Sequence, residues 1–205
     1  MTEVATVYLI DDDAAVRDSL RFLLQKDGFR SHAYDSAEAF LGSTPSQHGC
    51  VLTDLRMPGI DGLDLQSRLS ERHSLLPVIV MTGQADVKLA VRAMKAGAVD
   101  FLEKPFNETQ LLDAIRRALA ANEQALAAAA EAGEAANRLA VLTRREREVL
   151  DLLVTGKSTK EIANIIGGSP RTIDVHRARV FGKLGAASLP DLVELMRRAH
   201  SAGPP

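Results

Sequence analysis

Apolar and polar positions change rhythm repeatedly along the first 120 residues. Short apolar or β-branched runs, "VATVYLI" (4–10), "FRSHAY" (29–34), "GCVLTD" (49–54), "LLPVIVMT" (75–82) and "AVDFLE" (98–103), predict five strands. Between them "AAVRDSLRFLLQKDG", "SAEAFLGS", "GLDLQSRLSERH" and "DVKLAVRAMKAG" carry helical spacing, two of them closing on a glycine, and a fifth helix begins at Asn107. Strict alternation of strand and helix predicts an α/β fold, a parallel sheet covered by helices on both faces.

From Glu108 the helical pattern continues into the Ala-rich stretch "LLDAIRRALAANEQALAAAAEAGEAANRLAVL". Leu112, Ile115, Leu119, Asn122, Leu126 and Ala129 fall at alternating steps of three and four, the spacing of a packing seam. Beyond Ala129 the seam holds only alanine and Gly133, too little apolar surface for an independent coiled coil. Residues 121–140 therefore read as a helical linker with a weak point at Gly133. The remaining residues predict short helices only. "TRREREVLDLLVTG" and "STKEIANIIGG" each open with a capping box, Thr143 with Glu146 and Ser158 with Glu161. "SPRTIDVHRARVFGKLG" has Pro170 at its first helical position and ends at Gly185, "SLPDLVELMRRAH" makes a fourth helix, and the terminal "SAGPP" is expected to fray.

Charge divides the chain the same way. Residues 1–120 carry 13 Lys and Arg against 17 Asp and Glu, whereas residues 138–205 carry 12 against 7. An acidic front and a basic back suggest two domains with different partners, the second a candidate for nucleic acid. Cys50 is the sole cysteine, which excludes an internal disulfide and a cysteine metal cluster. No apolar run is long enough to span a bilayer and the first residues lack a basic signal-peptide start, so a cytoplasmic location is expected.

The chemistry concentrates where the strands end. In a parallel sheet, ligands bind outside the carboxyl ends of the strands. There the sequence places Asp11, Asp12 and Asp13 after the first strand, Asp54 on the third, Thr82 on the fourth, and Lys104 before Pro105 on the fifth. Each has a plainer reading alone: a helix cap for Asp13, a turn residue for Asp54, an ordinary strand end for Thr82. Together, crowded carboxylates call for a hard cation such as Mg2+, while a lysine and a hydroxyl suit phosphoryl oxygens. The set is suited to phosphoryl transfer onto a carboxylate, with Asp54 as the acceptor. A phosphatase acting through an aspartyl-phosphate shares this chemistry, but needs a substrate pocket and a cap domain for which no insertion is long enough.

"YLIDDDAAVRDSL", "VLTDLRMPGIDGLDL", "VIVMTGQAD" and "AVRAMKAGAVDFLEKPF" resemble the receiver domain of two-component response regulators, over nearly all of residues 3–120. The resemblance implies a five-stranded doubly wound sheet of order 2-1-3-4-5. It also implies that Asp54 takes a phosphoryl group from a cognate histidine kinase. Mg2+ would lie among Asp11, Asp12, Asp54 and the backbone carbonyl of Arg56, and the Lys104–Pro105 bond is expected to be cis. A switch is implied in which Thr82 bonds the phosphoryl group and Phe101 turns inward, although Phe101 reads equally well as a plain core aromatic. Arg56 and Gln84 would occupy the positions that tune phosphoryl lifetime.

"LTRREREVLDLLVTGKSTKEIANIIGGSPRTIDVHRARVFGKLG" resembles the helix-turn-helix domain of LuxR-type regulators. A helix, a glycine-containing turn and an Arg-rich second helix fit a motif that lays its recognition helix in the major groove. That helix would be 170–184, with Arg171, Thr172, Asp174, Arg177, Arg179 and Lys183 on its polar face. Asp174, Val175 and Ala178 fall at the base-reading positions of the family motif. Two departures stand out: Gly168 replaces an apolar turn residue, predicting a looser turn, and Thr159 replaces a frequent Asn.

The whole chain most resembles the FixJ-like branch of response regulators: a receiver (1–120), a linker (121–140) and a LuxR-type DNA-binding domain (141–205). The expected behaviour is that of a transcription factor rather than a turnover enzyme. Phosphorylation at Asp54 favours a homodimer through the fourth helix and fifth strand, with Val87, Ala90, Val91, Met94 and Lys95 on its surface. The dimer binds double-stranded promoter DNA and works with RNA polymerase, as an activator. A constitutive DNA-binding protein whose first domain only dimerises shares these features and differs in being indifferent to Asp54.

Overall fold

The computed structural model describes residues 5–83 and 87–200, with side chains described outside 84–89. Gln84 and the terminal "SAGPP" lie outside the described residues, as does the side chain of Val87. Contacts divide the chain into two compact units, Met1–Leu126 and Ala127–Pro205.

In the first unit the elements alternate as β1 (Thr6–Ile10), α1 (Ala14–Lys26), β2 (Arg30–Tyr34), α2 (Ala37–Leu41), β3 (Gly49–Asp54), α3 (Gly62–Glu71), β4 (Val78–Thr82), α4 (Val87–Lys95) and β5 (Asp100–Glu103). All pairings are parallel, in the order β2-β1-β3-β4-β5, as the resemblance implied. Because side chains alternate across a strand, each central strand feeds two cores. Tyr8, Ile10, Val51 and Val80 point to one face, against Phe40 of α2, Leu65 and Leu69 of α3 and Ala93 of α4. Leu9, Leu52, Ile79 and Met81 point to the other, against Leu20 and Leu24 of α1 and Leu111 and Ile115 of α5 (Glu108–Ala140). Burying each such large side chain contributes roughly 1.5–3 kcal/mol, which makes the sheet a rigid platform for its own rim.

Helix α5 runs without a break through Gly133, so the weak point expected there is not a discontinuity. Gly133 has open space where a side chain would stand, and its neighbours on the buried face supply the packing: Ala132 is buried, and Ala135 and Leu139 enter the core of the second unit. The first half of the predicted seam packs within the first unit. Leu112 and Ile115 are buried in the first unit, and Asn122 is 1% exposed. The Asn122 side chain accepts from the backbone N–H of Gly49 at 2.9 Å and donates to the carbonyls of Gln47 (2.9 Å) and Leu75 (2.7 Å).

The second unit is helical: the end of α5, then α6 (Arg144–Leu153), α7 (Thr159–Ile166), α8 (Pro170–Leu184) and α9 (Leu189–His200). Both capping boxes form as read. Val180 and Leu184 pack with Leu150, Leu192 and Leu195, and Ile173 packs with Val149, Leu153 and Ile162. The turn between α7 and α8 uses two glycines, Gly167 (φ 74°) and Gly168 (φ 144°), both in backbone space that favours glycine. The Arg145 guanidinium donates to the carbonyls of Ile166 and Gly167 and satisfies the open end of α7.

Among the described residues, no helix is long and apolar enough to cross a membrane.

Candidate functional site

The order β2-β1-β3-β4-β5 puts β1, β3, β4 and β5 side by side, so the residues at their carboxyl ends share one rim. Asp11 follows β1, Asp54 ends β3, Thr82 ends β4 and Lys104 follows β5. Lys104 reaches across two strands. Its Nζ donates to Asp54 Oδ1 at 2.6 Å and to Asp11 Oδ2 at 2.9 Å. The Lys104–Pro105 peptide is cis, and the Lys104 N–H donates to the Thr82 carbonyl at 2.7 Å.

The remaining carboxylate oxygens are held by backbone. Asp54 Oδ2 accepts from the Arg56 N–H at 2.7 Å, and Asp11 Oδ1 accepts from the Asp13 N–H at 2.9 Å. Arg17 on α1 donates to the Asp11 carbonyl at 2.6 Å, tying the β1–α1 turn to the helix. Asp13 caps α1, accepting from the N–H groups of Ala15 and Val16, which is the role its position suggested. Asp12 between them is exposed. Asp11 is 2% exposed and Thr82 1%. Partial burial pulls the Lys104 ammonium towards a lower pKa, but its hydrogen bonds to Asp54 and Asp11 outweigh that and hold it above the ordinary lysine value.

Gly62, the first residue of α3, closes the site from behind. A side chain there would stand 2.5 Å from the Asp54 carbonyl oxygen and 3.2 Å from the Leu55 Cα. The Gly62 N–H also donates to the Leu55 carbonyl at 3.0 Å, so the loop between β3 and α3 returns to its starting point.

The donor set on the rim is all oxygen, as a hard divalent cation requires. Asp11 and Asp54 converge, because one ammonium bonds both. Among the described residues, however, no three acidic, His or Cys side chains are grouped as a ready metal cage. Asp11 and Asp54 are drawn onto Lys104 and Asp12 beside them is exposed, so the carboxylates fit the cation in kind. Phe101 of β5 is partly buried and packed against the core on the α3 and α4 face. On α4, Val91 and Met94 are exposed large hydrophobics, 46% and 50% accessible, and Lys95 is also exposed. Ala90 is half-buried, and Arg117 of α5 pairs with Asp100 of β5.

In the second unit α8 presents Arg171, Asp174, Val175 and Ala178 at steps of three, four and seven along one exposed stripe, with Thr172, Arg177 and Arg179 exposed beside it. Arg177 also lies over the Phe181 ring, 5.9 Å from its centroid. Lys183 is exposed near the end of α8 and also has a partner within the unit. Its Nζ bonds the buried Glu146 carboxylate at 2.7 Å and the Val141 carbonyl at 3.3 Å. The Lys183 bond and the Thr143 N–H hold the Glu146 carboxyl down at about 2. Sequence patterning missed this partner because 37 residues separate the pair. It missed a second bond as well: the Thr159 hydroxyl donates to Asp174 Oδ1 at 3.1 Å.

A sheet of this order with an acid–lysine rim, followed by a helix-turn-helix unit, defines a class, and comparison with known proteins agrees with it. Residues 7–116 match the family described as "Response regulator receiver domain" and residues 140–196 the family described as "Bacterial regulatory proteins, luxR family". The chain belongs to the response regulators that join a receiver domain to a LuxR-type DNA-binding domain. It is 49% identical to the transcriptional regulatory protein FixJ of Bradyrhizobium diazoefficiens over 97% of this chain and 98% of that protein. It is 42% identical to the transcriptional regulatory protein TdiR of Thauera aromatica over 96% and 87%. Among solved structures it resembles the response regulator StyR (40% identity, TM-score 0.76, covering 96% of this chain and 100% of that one). It also resembles full-length FixJ from B. japonicum (48%, TM-score 0.58, 97% and 98%). Within the class it is a FixJ-like transcriptional regulator, from a family that does not turn over substrate. Receiver domains generally bind Mg2+, and the family implies a histidine kinase partner and DNA.

Proposed function

We propose that this chain is the cytoplasmic output component of a two-component relay, in which a histidine kinase phosphorylates Asp54 and the phosphorylated chain dimerises on promoter DNA. Residues 1–120 accept the signal, 121–140 connect, and 141–205 bind DNA. The observation that carries the reading is the pair of hydrogen bonds from Lys104 to Asp11 and Asp54, which brings three strand ends onto one point.

A carboxylate oxygen of Asp54 attacks phosphorus, the bond to the donor nitrogen breaks, and the histidine nitrogen keeps the electron pair and takes up a proton. Mg2+ would be held by Asp11, Asp12, Asp54 and the Arg56 carbonyl; when bound it supplies positive charge for the transferring group. The backbone N–H of Arg56 orients Asp54. Lys104, a mobile point charge, passes from Asp54 to the phosphoryl oxygens, and the Thr82 hydroxyl donates to them from the next strand. Phe101 then fills the space that Thr82 leaves.

Moving a population from 1:99 to 99:1 active takes a bias of about 5.5 kcal/mol. Dimerisation through α4 and β5 supplies part of it, and Val91 and Met94 are the exposed apolar groups suited to that interface. The dimer then presents two α8 helices to a two-fold site. Arg171, Thr172, Arg177 and Arg179 contact phosphates, while Asp174, Val175 and Ala178 face the bases and RNA polymerase is recruited for activation.

The test is acetyl phosphate with Mg2+, read by intact mass, sedimentation and DNA binding on the wild type and Asp54→Asn. One labile phosphoryl per chain at Asp54, with a shift to dimer and tighter DNA binding, is expected. No adduct, or DNA affinity that ignores Asp54→Asn, sinks the relay and leaves a constitutive DNA-binding protein.

A further inference from the structure

The exposed stripe of α8 contains one anion. Asp174 stands between Arg171 and Arg177 on a surface that otherwise suits phosphate, and a carboxylate there repels the DNA backbone. Asp174 is nevertheless held in place. Its Oδ1 accepts from the Thr159 hydroxyl, 15 residues away, across the two helices of the helix-turn-helix. Thr159 opens α7 directly after the capping residue Ser158. The Ser158 N–H and hydroxyl are both turned onto Glu161, so Thr159 supplies the hydroxyl at that helix start that reaches α8. Among the described residues Asp174 Oδ2 has no protein donor, and the side chain is exposed.

We infer that Asp174, with its rotamer fixed by Thr159, selects cytosine at one position of each half-site. A carboxylate only accepts hydrogen bonds. In the major groove the donors are the exocyclic amines of cytosine and adenine. Adenine sets its N7 acceptor beside its amine, where it opposes a carboxylate, whereas the cytosine N4 amine has no acceptor on the same base edge in that groove. Guanine and thymine offer only acceptors to this group. Thr159 is a positioning residue: without its hydroxyl the carboxylate can turn towards Arg171 or Arg177 and no longer commits to a base.

This inference rests on the DNA-binding reading. The test uses the full chain, treated with acetyl phosphate and Mg2+, in selection from a randomised duplex pool followed by sequencing. Wild type, Asp174→Asn, Thr159→Val and Thr159→Ser are compared, with thermal unfolding as the folding control and affinity for an unrelated duplex as the baseline. Wild type is expected to prefer cytosine at one symmetric position about tenfold. Asp174→Asn moves the preference at that position away from cytosine and tightens binding to the unrelated duplex. Thr159→Val flattens the same position and leaves the rest of the motif and the baseline affinity intact, and Thr159→Ser restores it. A motif unchanged by Asp174→Asn overturns the assignment, and one unchanged by Thr159→Val overturns the positioning role. If the wild type binds no duplex even at low salt, the DNA-binding reading fails and takes this inference with it.

Discussion

Replacing Asn122 tests whether the receiver unit depends on one polar side chain of α5. Its three hydrogen bonds reach the N–H of Gly49 and the carbonyls of Gln47 and Leu75. The bonds differ in how replaceable they are. Gly49 is buried at the start of β3, so its N–H finds no water when the acceptor goes, a loss of about 2 kcal/mol. Gln47 is exposed and Leu75 half-buried, so their carbonyls can regain water and lose about 0.5 kcal/mol each. The sum, about 3 kcal/mol, lowers the melting temperature of a unit this size by about 12 °C. Asn122→Ala also opens a small cavity, so Asn122→Leu, similar in volume and equally unable to bond, separates packing from hydrogen bonding. Differential scanning calorimetry of both variants should show the receiver transition falling by similar amounts, with urea m values unchanged. A Leu variant within about 2 °C of wild type would refute the account, since it would mean that apolar contact alone fixes α5 there.

Four further outcomes follow from the geometry. Gly62→Ala drives a methyl into the Asp54 carbonyl and should cost about 1–3 kcal/mol in receiver stability while slowing acetyl phosphate labelling, both measurable on one preparation. Lys104→Met removes the shared ammonium and should slow labelling about 100-fold or more while divalent-cation binding, followed by titration calorimetry, persists. Glu146 has a folded pKa of about 2 against an ordinary 4.5, so its contribution is present above pH 4.5 and is lost as pH falls towards 2. Acid unfolding of the second unit should shift to higher pH in Lys183→Met, read by circular dichroism. Val91→Asp with Met94→Asp should leave Asp54 phosphorylation intact and abolish the phosphorylation-dependent dimer in sedimentation.

The sheet rim was legible in the sequence because each rim residue closes an apolar run, and a strand end has a fixed place once strand order is known. The strand starts were less legible. Leu76 and Ala98 were read into strands that begin at Val78 and Asp100, since both are buried and apolar without taking part in the ladder. Patterning reports burial, not hydrogen bonding. For the same reason the partners of Asn122 and Lys183 were not legible: each bonds a residue far along the chain, Gly49 or Glu146. The bond from Arg145 to the α7–α8 turn was hidden in the same way, since Arg145 lies 21 residues before Ile166. What a local window encodes, the helix caps, formed as read; bonds that close over long separations did not show.

The loop that leaves β3 at Asp54 and returns at Gly62 has a consequence for how such a protein can change over time. Its two ends are clamped together by the Gly62–Leu55 hydrogen bond, and the missing Cβ at Gly62 leaves no slack against the strand. Substitutions at exposed loop positions such as Arg56 and Pro58 can alter chemistry at the rim at little structural cost. An added or deleted residue would instead have to reopen the clamp. Exchanging a side chain in this segment therefore disturbs the strand end less than changing the segment's length would.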